Sequence, residues 1–549
     1  MHHPPSRQIR ITLLFPLLLT VASCGGGSGG RAGGVTNPPQ EQSTVASISL
    51  SAPATFLPVN GSITVVAVPR DAAGQPVTTT GVAWSTSDAA IASVSSAGGV
   101  TGRAQGPVTV TATSGTRSDT LGLTVVFAQA SVDLAAALTG GKTMSGLLHG
   151  LNFRNEPIPP QALVAPLRPG LWRATPNVVP FTTAAAAGAR YTYILSDVWG
   201  YPASGVWAKG RPWEVPIAYQ ALIREVLQPL QGQSVIAEVW NEPDSFFGQN
   251  YWDGTEAQFF EIYRRGFMVA RATVGEGALI AGPSISRYDL AYLQRFADYC
   301  VANGCEVNVL TWHEMGFHRP LSTIADHVAE VRREIVTNPA YAALRVREVH
   351  INETVGPQET YNPAASLTYL RYLEIGGADA AARACWSDST SGLSNCFNNS
   401  LDGLVTPGVG GWQARGVWWA YKAYADGQAT RVPSTVSDSR MLSLASRAVA
   451  GSLDVPQVLI GYASVTEAGL PATAPLGILV TGLDAIPTLR GRLRVRVQIV
   501  EIDHTGERPL TSPTTRPARD LDVRQNGVAI LVDAAKVNAV YVVRLEPIP

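Results

Sequence analysis

Val239-Trp240-Asn241-Glu242-Pro243-Asp244 closes the apolar run that begins at Ser234 and continues Val235-Ile236-Ala237-Glu238. That run has the length and residue types of a buried strand. Pro243 lacks an N–H and cannot extend a ladder, so the strand stops at the Asn-Glu pair. The end of a parallel barrel strand is where barrels place functional side chains. A second stretch repeats the pattern: Val346-Arg347-Glu348-Val349-His350-Ile351-Asn352-Glu353, then Gly356-Pro357. Three strand–helix units separate the two. Glu242 and Glu353 then end two strands that are able to face each other across a barrel mouth.

Glycoside hydrolysis uses such a pair of carboxylates. Trp240-Asn241-Glu242-Pro243-Asp244, with Asn250-Tyr-Trp-Asp-Gly-Thr-Glu256 and the helical segment Phe259–Tyr263 after it, resembles the acid/base region of glycoside hydrolase family 39. The likeness runs over about residues 140–428. It implies a (β/α)8 TIM barrel and a retaining mechanism, with Glu242 as acid/base and Glu353 as nucleophile. Asn241 is expected to hydrogen-bond the sugar 2-hydroxyl. Arg173 matches an arginine that the family keeps near the nucleophile, and a buried arginine needs a partner, for which Glu353 is the candidate. His313 matches a family histidine; it either orients a carboxylate or touches a sugar hydroxyl, unless it is a satisfied core group. Trp386 matches the aromatic that relatives set under the reacting sugar. Met315 stands where the family often has a tyrosine. Glu314 is a further carboxylate near the mouth, read either as a substrate contact or as pointing outward.

The rest of the chain surrounds that barrel. Arg7 and Arg10 precede an apolar stretch, Ile11 to Ala22, too short to span a bilayer as a mature helix. Val21-Ala22-Ser23-Cys24 resembles a bacterial lipobox, so residues 1–23 read as a signal peptide and Cys24 as the lipidated residue; an ordinary signal peptide is the alternative. Residues 24–43 open with Gly25-Gly-Gly-Ser-Gly-Gly, a flexible tether. The expected site is the outer membrane or surface of a Gram-negative cell. Residues 44–127 alternate in short strands broken by Gly, Asn and Asp. Val82-Ala-Trp84-Ser-Thr-Ser-Asp88 and Gly99-Val100-Thr-Gly102 there resemble the bacterial immunoglobulin-like group 2 domain, with Trp84 as a core residue.

From 130 to 428 strands and helices alternate. The strands are expected at Ser145–Phe153, Gly170–Thr175, Arg190–Asp197, Ser234–Val239, Ala278–Pro283, Val307–His313, the stretch ending at Glu353, and Ala382–Trp386; Tyr288–Val301 and Ile324–Thr337 read as amphipathic helices. Strand three leads into Asp197-Val-Trp199-Gly-Tyr201, then Trp207 and Trp213, a loop whose aromatics suit either sugar stacking, with Trp199 a candidate, or a hydrophobic cluster of their own. Residues 429–549 return to strict alternation, as in Arg492-Leu-Arg-Val-Arg-Val, and read as a C-terminal β-sandwich.

Length and composition fit a chain of about three domains with large cores. Of 549 residues, 46% are hydrophobic and only 15% charged, with a net charge of −1. That balance gives no electrostatic case for nucleic acid or an anionic membrane surface. Contact with a membrane is expected only through Cys24, and oligomeric state is left open. Beyond Cys24 four cysteines remain, and of three connectivities the local pairs Cys300–Cys305 and Cys385–Cys396 are expected. No His or Cys cluster has zinc spacing, and no cofactor is expected. The resemblance implies an oligo- or polysaccharide as partner. The rival readings are a non-catalytic carbohydrate-binding lipoprotein and a surface protein whose immunoglobulin-like module is the working part.

Overall fold

A computed structural model of the chain describes residues 44–548, apart from 79–80, 140–141, 150–157, 203–204, 245–250, 317–319, 389–391, 393, 453 and 464–469. The expected signal peptide, Cys24 and the glycine-rich stretch after it lie outside the described residues.

Eight parallel strands close into a barrel: Gly146–Leu148, Leu171–Ala174, Arg190–Ile194, Val235–Glu238, Leu279–Ile285, Val309–Glu314, Glu348–Thr354 and Ala380–Arg383, here strands one to eight. Pairing of Gly146 with Ala382 shuts the ring. Most of these strands are buried along their whole length, as strands covered on both faces must be. Leu171, Ile236, Ala281, Val309, Ala380 and Ala382 form one apolar cluster of their own. Side chains two apart share a face of a strand. Arg173, Glu238 and Thr311 therefore project like Leu171, Ile236 and Val309, one layer nearer the mouth. The barrel is thus floored by hydrocarbon and topped by charge.

Helices wrap the outside, and their ends are written in local chemistry. Glu256–Val274 starts from a reciprocal capping box in which the Thr255 hydroxyl accepts from Gln258 N and the Gln258 side chain accepts from Thr255 N. Leu290–Asn303 is capped by Asp289 and ends on Gly304 in the left-handed region. Among the described residues, no helix is long and apolar enough to cross a membrane.

Three expected boundaries move. Strand three stops at Ile194, and Leu195–Trp199 is a short helix, so Ser196 and Asp197 turn back over the mouth. Strand eight lies earlier than expected, at Ala380–Arg383, and its small Ala380 and Ala382 side chains fit the narrow interior. The strand Ala128–Asp133 is not part of the barrel: it pairs in parallel with Thr473–Thr481 and antiparallel with Ser434–Val436. The chain thus contributes a strand to the C-terminal sandwich before it enters the barrel.

That sandwich stacks this sheet, completed by Gly527–Lys536, on a second built from Met441–Ser446, Gln457–Tyr462, Val540–Pro547 and Arg494–Ile502. Its core includes Ile460, Ile478, Val497, Ile530 and Val543. The N-terminal module is a smaller sandwich around Leu57, Val65, Val100, Val110 and Val125, against which Trp84 packs half-buried.

Candidate active site

The mouth of the barrel holds a chain of buried polar groups. Arg173, at the end of strand two, donates from Nε to Glu238 Oε2 at 2.8 Å and from Nη2 to Glu238 Oε1, a bidentate pair with both side chains about fully buried. Its Nη1 donates to Glu353 Oε1 at 2.7 Å, and its Nη2 to Asn241 Oδ1 at 2.6 Å. Asn352 Nδ2 donates to Glu238 Oε2 and to Ser284 Oγ, both at 2.9 Å, and Ser284 shares a hydrogen bond with Thr311. One guanidinium, fixed from below by Glu238, thus orients two cleft residues from different strands. Such a fork suits arginine because its donors lie in one rigid plane.

The acid-bearing turn is equally constrained. Glu242 adopts φ +49°, a left-handed conformation that non-glycine residues avoid. Its N–H donates to the Ser284 carbonyl at 2.9 Å, and Asn241 N donates to Ser196 Oγ at 3.1 Å. Val355, just past strand seven, has φ +75°, which is strained for a β-branched residue. Backbone strain of this kind persists where surrounding contacts over-determine it, and it concentrates at functional sites.

His313, from strand six and fully buried, bridges the two glutamates. Its Nδ1 shares a hydrogen bond with Glu242 Oε1 at 3.0 Å and lies 3.8 Å from Glu353 Oε2. Burial opposes charge on this ring, but Glu353 and Glu242 outweigh it and raise its pKa. Burial also raises the Glu353 carboxyl above the ordinary range, opposed by His313 and Arg173 and assisted by Glu242. One ligand atom each from Glu242, His313 and Glu353 lies within 4.8 Å of the others. Among the described residues this is the group that could approach a cation, although Glu353 already accepts from Arg173.

A cleft of about 660 Å³ opens over these groups. Glu242, Glu353, Arg173, Asn241, Trp386 and Met315 all line it. Trp386 is held by a hydrogen bond from its indole N–H to the Val355 carbonyl at 2.9 Å. The bonded pair Cys385–Cys396 borders the cleft, while Cys300–Cys305 joins a helix end to the approach of strand six. Gly356 sits where a Cβ would strike the Met315 carbonyl and the Glu359 carboxyl, so the loop behind the cleft needs a glycine.

Two expected residues are elsewhere. Trp199 is packed on Tyr219 with its indole N–H on the Gly210 carbonyl, because the short helix after strand three turns it into the core. Glu314 is buried away from the cleft and accepts from Trp312 Nε1 at 2.9 Å and shares a hydrogen bond with His327 Nδ1 at 2.7 Å; alternation along strand six sends it opposite to His313. Trp207 and Trp213 pack on each other and on Trp240 and Trp252, a hydrophobic cluster rather than a sugar platform.

Other residues enter the site without having been singled out. Glu238 is one; a lone acid inside an apolar strand, in phase with the inward face, was its signal. Asp197 and Tyr251 line the cleft. Asp197 accepts from the Tyr201 hydroxyl at 2.5 Å and lies 3.6 Å from His149 Nε2. Burial, then the charges of Glu242 and Glu353, raise the Tyr251 pKa and keep its phenol protonated.

Residues 44–125 match the model of the bacterial Ig-like domain (group 2). They are a bacterial Ig-like domain. No curated protein matches the chain. Solved structures resemble it over about three quarters of its length. A protein of Neocallimastix frontalis is 18% identical, over 77% of this chain and 100% of its own, with a TM-score of 0.58. A glucosidase of Croceicoccus marinus is 15% identical over 77% and 99%, TM-score 0.54. A family 39 glycoside hydrolase of Xanthomonas axonopodis pv. citri is 16% identical over 76% and 97%, TM-score 0.51. The fold they share is a TIM barrel, carried here with an Ig-like module and a C-terminal sheet-rich region.

Proposed function

We propose that the chain is a retaining O-glycosyl hydrolase that cleaves an oligo- or polysaccharide. The observation that carries this reading is the approach of Glu242 and Glu353: one oxygen of each lies within 4.8 Å of the other. Retaining pairs stand about 5–5.5 Å apart, whereas inverting pairs leave room for water at about 6.5–9.5 Å. The fold shared with a glucosidase and a family 39 enzyme supports the same chemistry.

Glu353 attacks the anomeric carbon while Glu242 gives its proton to the glycosidic oxygen, and the bond from that oxygen to the sugar breaks. The aglycone leaves, and the sugar is esterified on Glu353. Water then attacks the same carbon, Glu242 takes its proton, and Glu353 departs as carboxylate. Arg173 stabilises that carboxylate as attacker and as leaving group. It also fixes the Asn241 amide: Oδ1 accepts from Arg173, which leaves Nδ2 to donate to the sugar 2-hydroxyl. Trp386 offers a face for the ring in the first sugar position.

The remaining features fit an exported lipoprotein anchored at Cys24, with the Ig-like module holding the barrel away from the membrane. Glu242→Ala tests the assignment. Turnover of alkyl glycosides is expected to fall by about 10²–10⁴-fold, the usual contribution of a general acid. Aryl glycosides with good leaving groups fall less, and azide restores part of the rate. A variant that cleaves alkyl glycosides like the wild type would contradict it. A wild type that binds oligosaccharide and turns none over would instead favour a binding lipoprotein.

A further inference from the structure

A second pocket, of about 340 Å³, lies at the opposite end of the barrel, where strands one and eight begin. It is bounded by the end of the helix Pro363–Gly376 and by the first strands of the C-terminal sandwich. Three cationic side chains line it, Lys142, Arg371 and Arg431, against one carboxylate, Glu374.

Two of the cations are matched. Arg431 Nε lies 3.4 Å from Glu374 Oε2, and the Lys142 ammonium is bonded to Asp379 with half of its side chain exposed. Arg371 differs. It is only 5% exposed, and its guanidinium donates to neutral oxygens: Ser434 Oγ at 3.1 Å, the Ser434 carbonyl at 3.3 Å and the Ser443 carbonyl. Its Nε and the neighbouring Ser443 hydroxyl are both buried without a hydrogen-bond partner among the described residues. Among those residues no carboxylate stands within ion-pair distance of it. Burial lowers its pKa from the ordinary arginine value.

A guanidinium taken out of water without a counter-charge is costly, and the cost is recovered when an anion arrives. We propose that this pocket binds an oxyanion group, a phosphate, sulfate or carboxylate, with Arg371 and Lys142 as its charged contacts and the Ser443 hydroxyl as a neutral donor. The ligand neutralises Arg371 and ties the helix Pro363–Gly376 to the sandwich strands beside it. A planar or tetrahedral oxyanion fits a forked donor in either case, whether free in solution or carried on an acidic sugar.

Titration of the full chain with sodium phosphate, sodium sulfate and sodium glucuronate, at ionic strength held constant with sodium chloride, tests this by calorimetry and by the rise in Tm that ligand binding to the folded state produces. Saturable one-site binding of at least one anion is expected. Arg371→Gln and Lys142→Gln should each weaken it tenfold or more. Binding of the inorganic ions alone identifies a free oxyanion; tighter binding of glucuronate identifies an acidic sugar. Absence of saturable binding to any of the three, or unchanged affinity in Lys142→Gln, overturns the proposal. Because Lys142 is half exposed at the pocket mouth, that variant keeps the test decisive even if Arg371→Gln folds poorly.

Discussion

Arg173 and Arg371 are both buried beside the barrel, one at its mouth and one at its base, and they are satisfied in opposite ways. Arg173 spreads its donors over Glu238, Glu353 and Asn241. Arg371 donates to serine oxygens and backbone carbonyls and lies over the Tyr372 ring, with no carboxylate in ion-pair distance among the described residues. At the mouth the charge is balanced within the protein, so the geometry is fixed before substrate arrives, which is what electrostatic preorganisation requires. At the base the balance is incomplete and the pocket can select an anion. Glu359, behind the cleft wall, offers a third solution. It is 4% exposed and makes one long side-chain contact, 3.5 Å from the Tyr369 hydroxyl. An arginine cannot shed its proton, but a carboxyl can keep one, and burial raises Glu359 to about 7.

The comparison breaks most visibly at the mouth. Arg173→Met strands Glu238 as an unpaired buried charge and should cost about 3–5 kcal/mol in urea unfolding. The double variant Arg173→Met/Glu238→Leu should recover most of that loss, since the matched pair goes together. A double variant no more stable than the single one would mean that the pair does not act as a unit.

Glu359→Gln probes the carboxyl that neutralises itself. Its folded pKa of about 7 stands above the ordinary 4.5. Between those values the folded chain holds a proton that the unfolded chain has released. The contribution of Glu359 to stability is therefore full below about pH 4.5 and lost as pH rises through 7. At 1.36 kcal/mol per unit, the glutamine variant should gain up to about 3 kcal/mol on the wild type at pH 8, and little at pH 4. Parallel stability curves across that range would contradict the burial argument.

Arg371→Met should cost less than the Arg173 change, about 1–3 kcal/mol in anion-free buffer, for the carbonyls and hydroxyl left short of a donor. A loss equal to that of Arg173→Met would show that Arg371 is charge-matched after all.

Glu238→Gln has the clearest effect on pH dependence. It removes a competing anion from Arg173, so the guanidinium supports Glu353 more fully. If Glu353 is the nucleophile, as proposed, its ionisation sets the acidic limb of kcat/KM, and that limb should move to lower pH. An unmoved limb would disconnect Glu238 from Glu353.

Much of this was legible before any coordinates. The strand-ending proline after Glu242 and the Gly-Pro after Glu353 mark chain reversals that local chemistry alone imposes. Alternating strands and helices gave the barrel, and the shift back to strict alternation gave the sandwich. What escaped depends on three-dimensional phase. Trp199 looked like a loop aromatic, but one helical turn after Ile194 carries it into the core. Glu314 follows His313 directly, and adjacent strand residues face opposite ways. Glu238 was hidden as one acid in an apolar run, and its importance appears only when Arg173 comes to meet it from two strands away. The strand Ala128–Asp133 pairs with Thr473–Thr481, a contact too distant in sequence for local pattern to reveal.

The proposed hydrolysis needs Glu242 and Glu353 to act on one sugar carbon in opposite roles. Proton NMR of the first product formed from a cleaved aryl glycoside tests that most directly, read before the anomers equilibrate. The spacing of the two carboxylates predicts a first-formed sugar with the anomeric configuration of the substrate. A first-formed sugar of opposite configuration would contradict it, because water rather than Glu353 would then have been the attacking group.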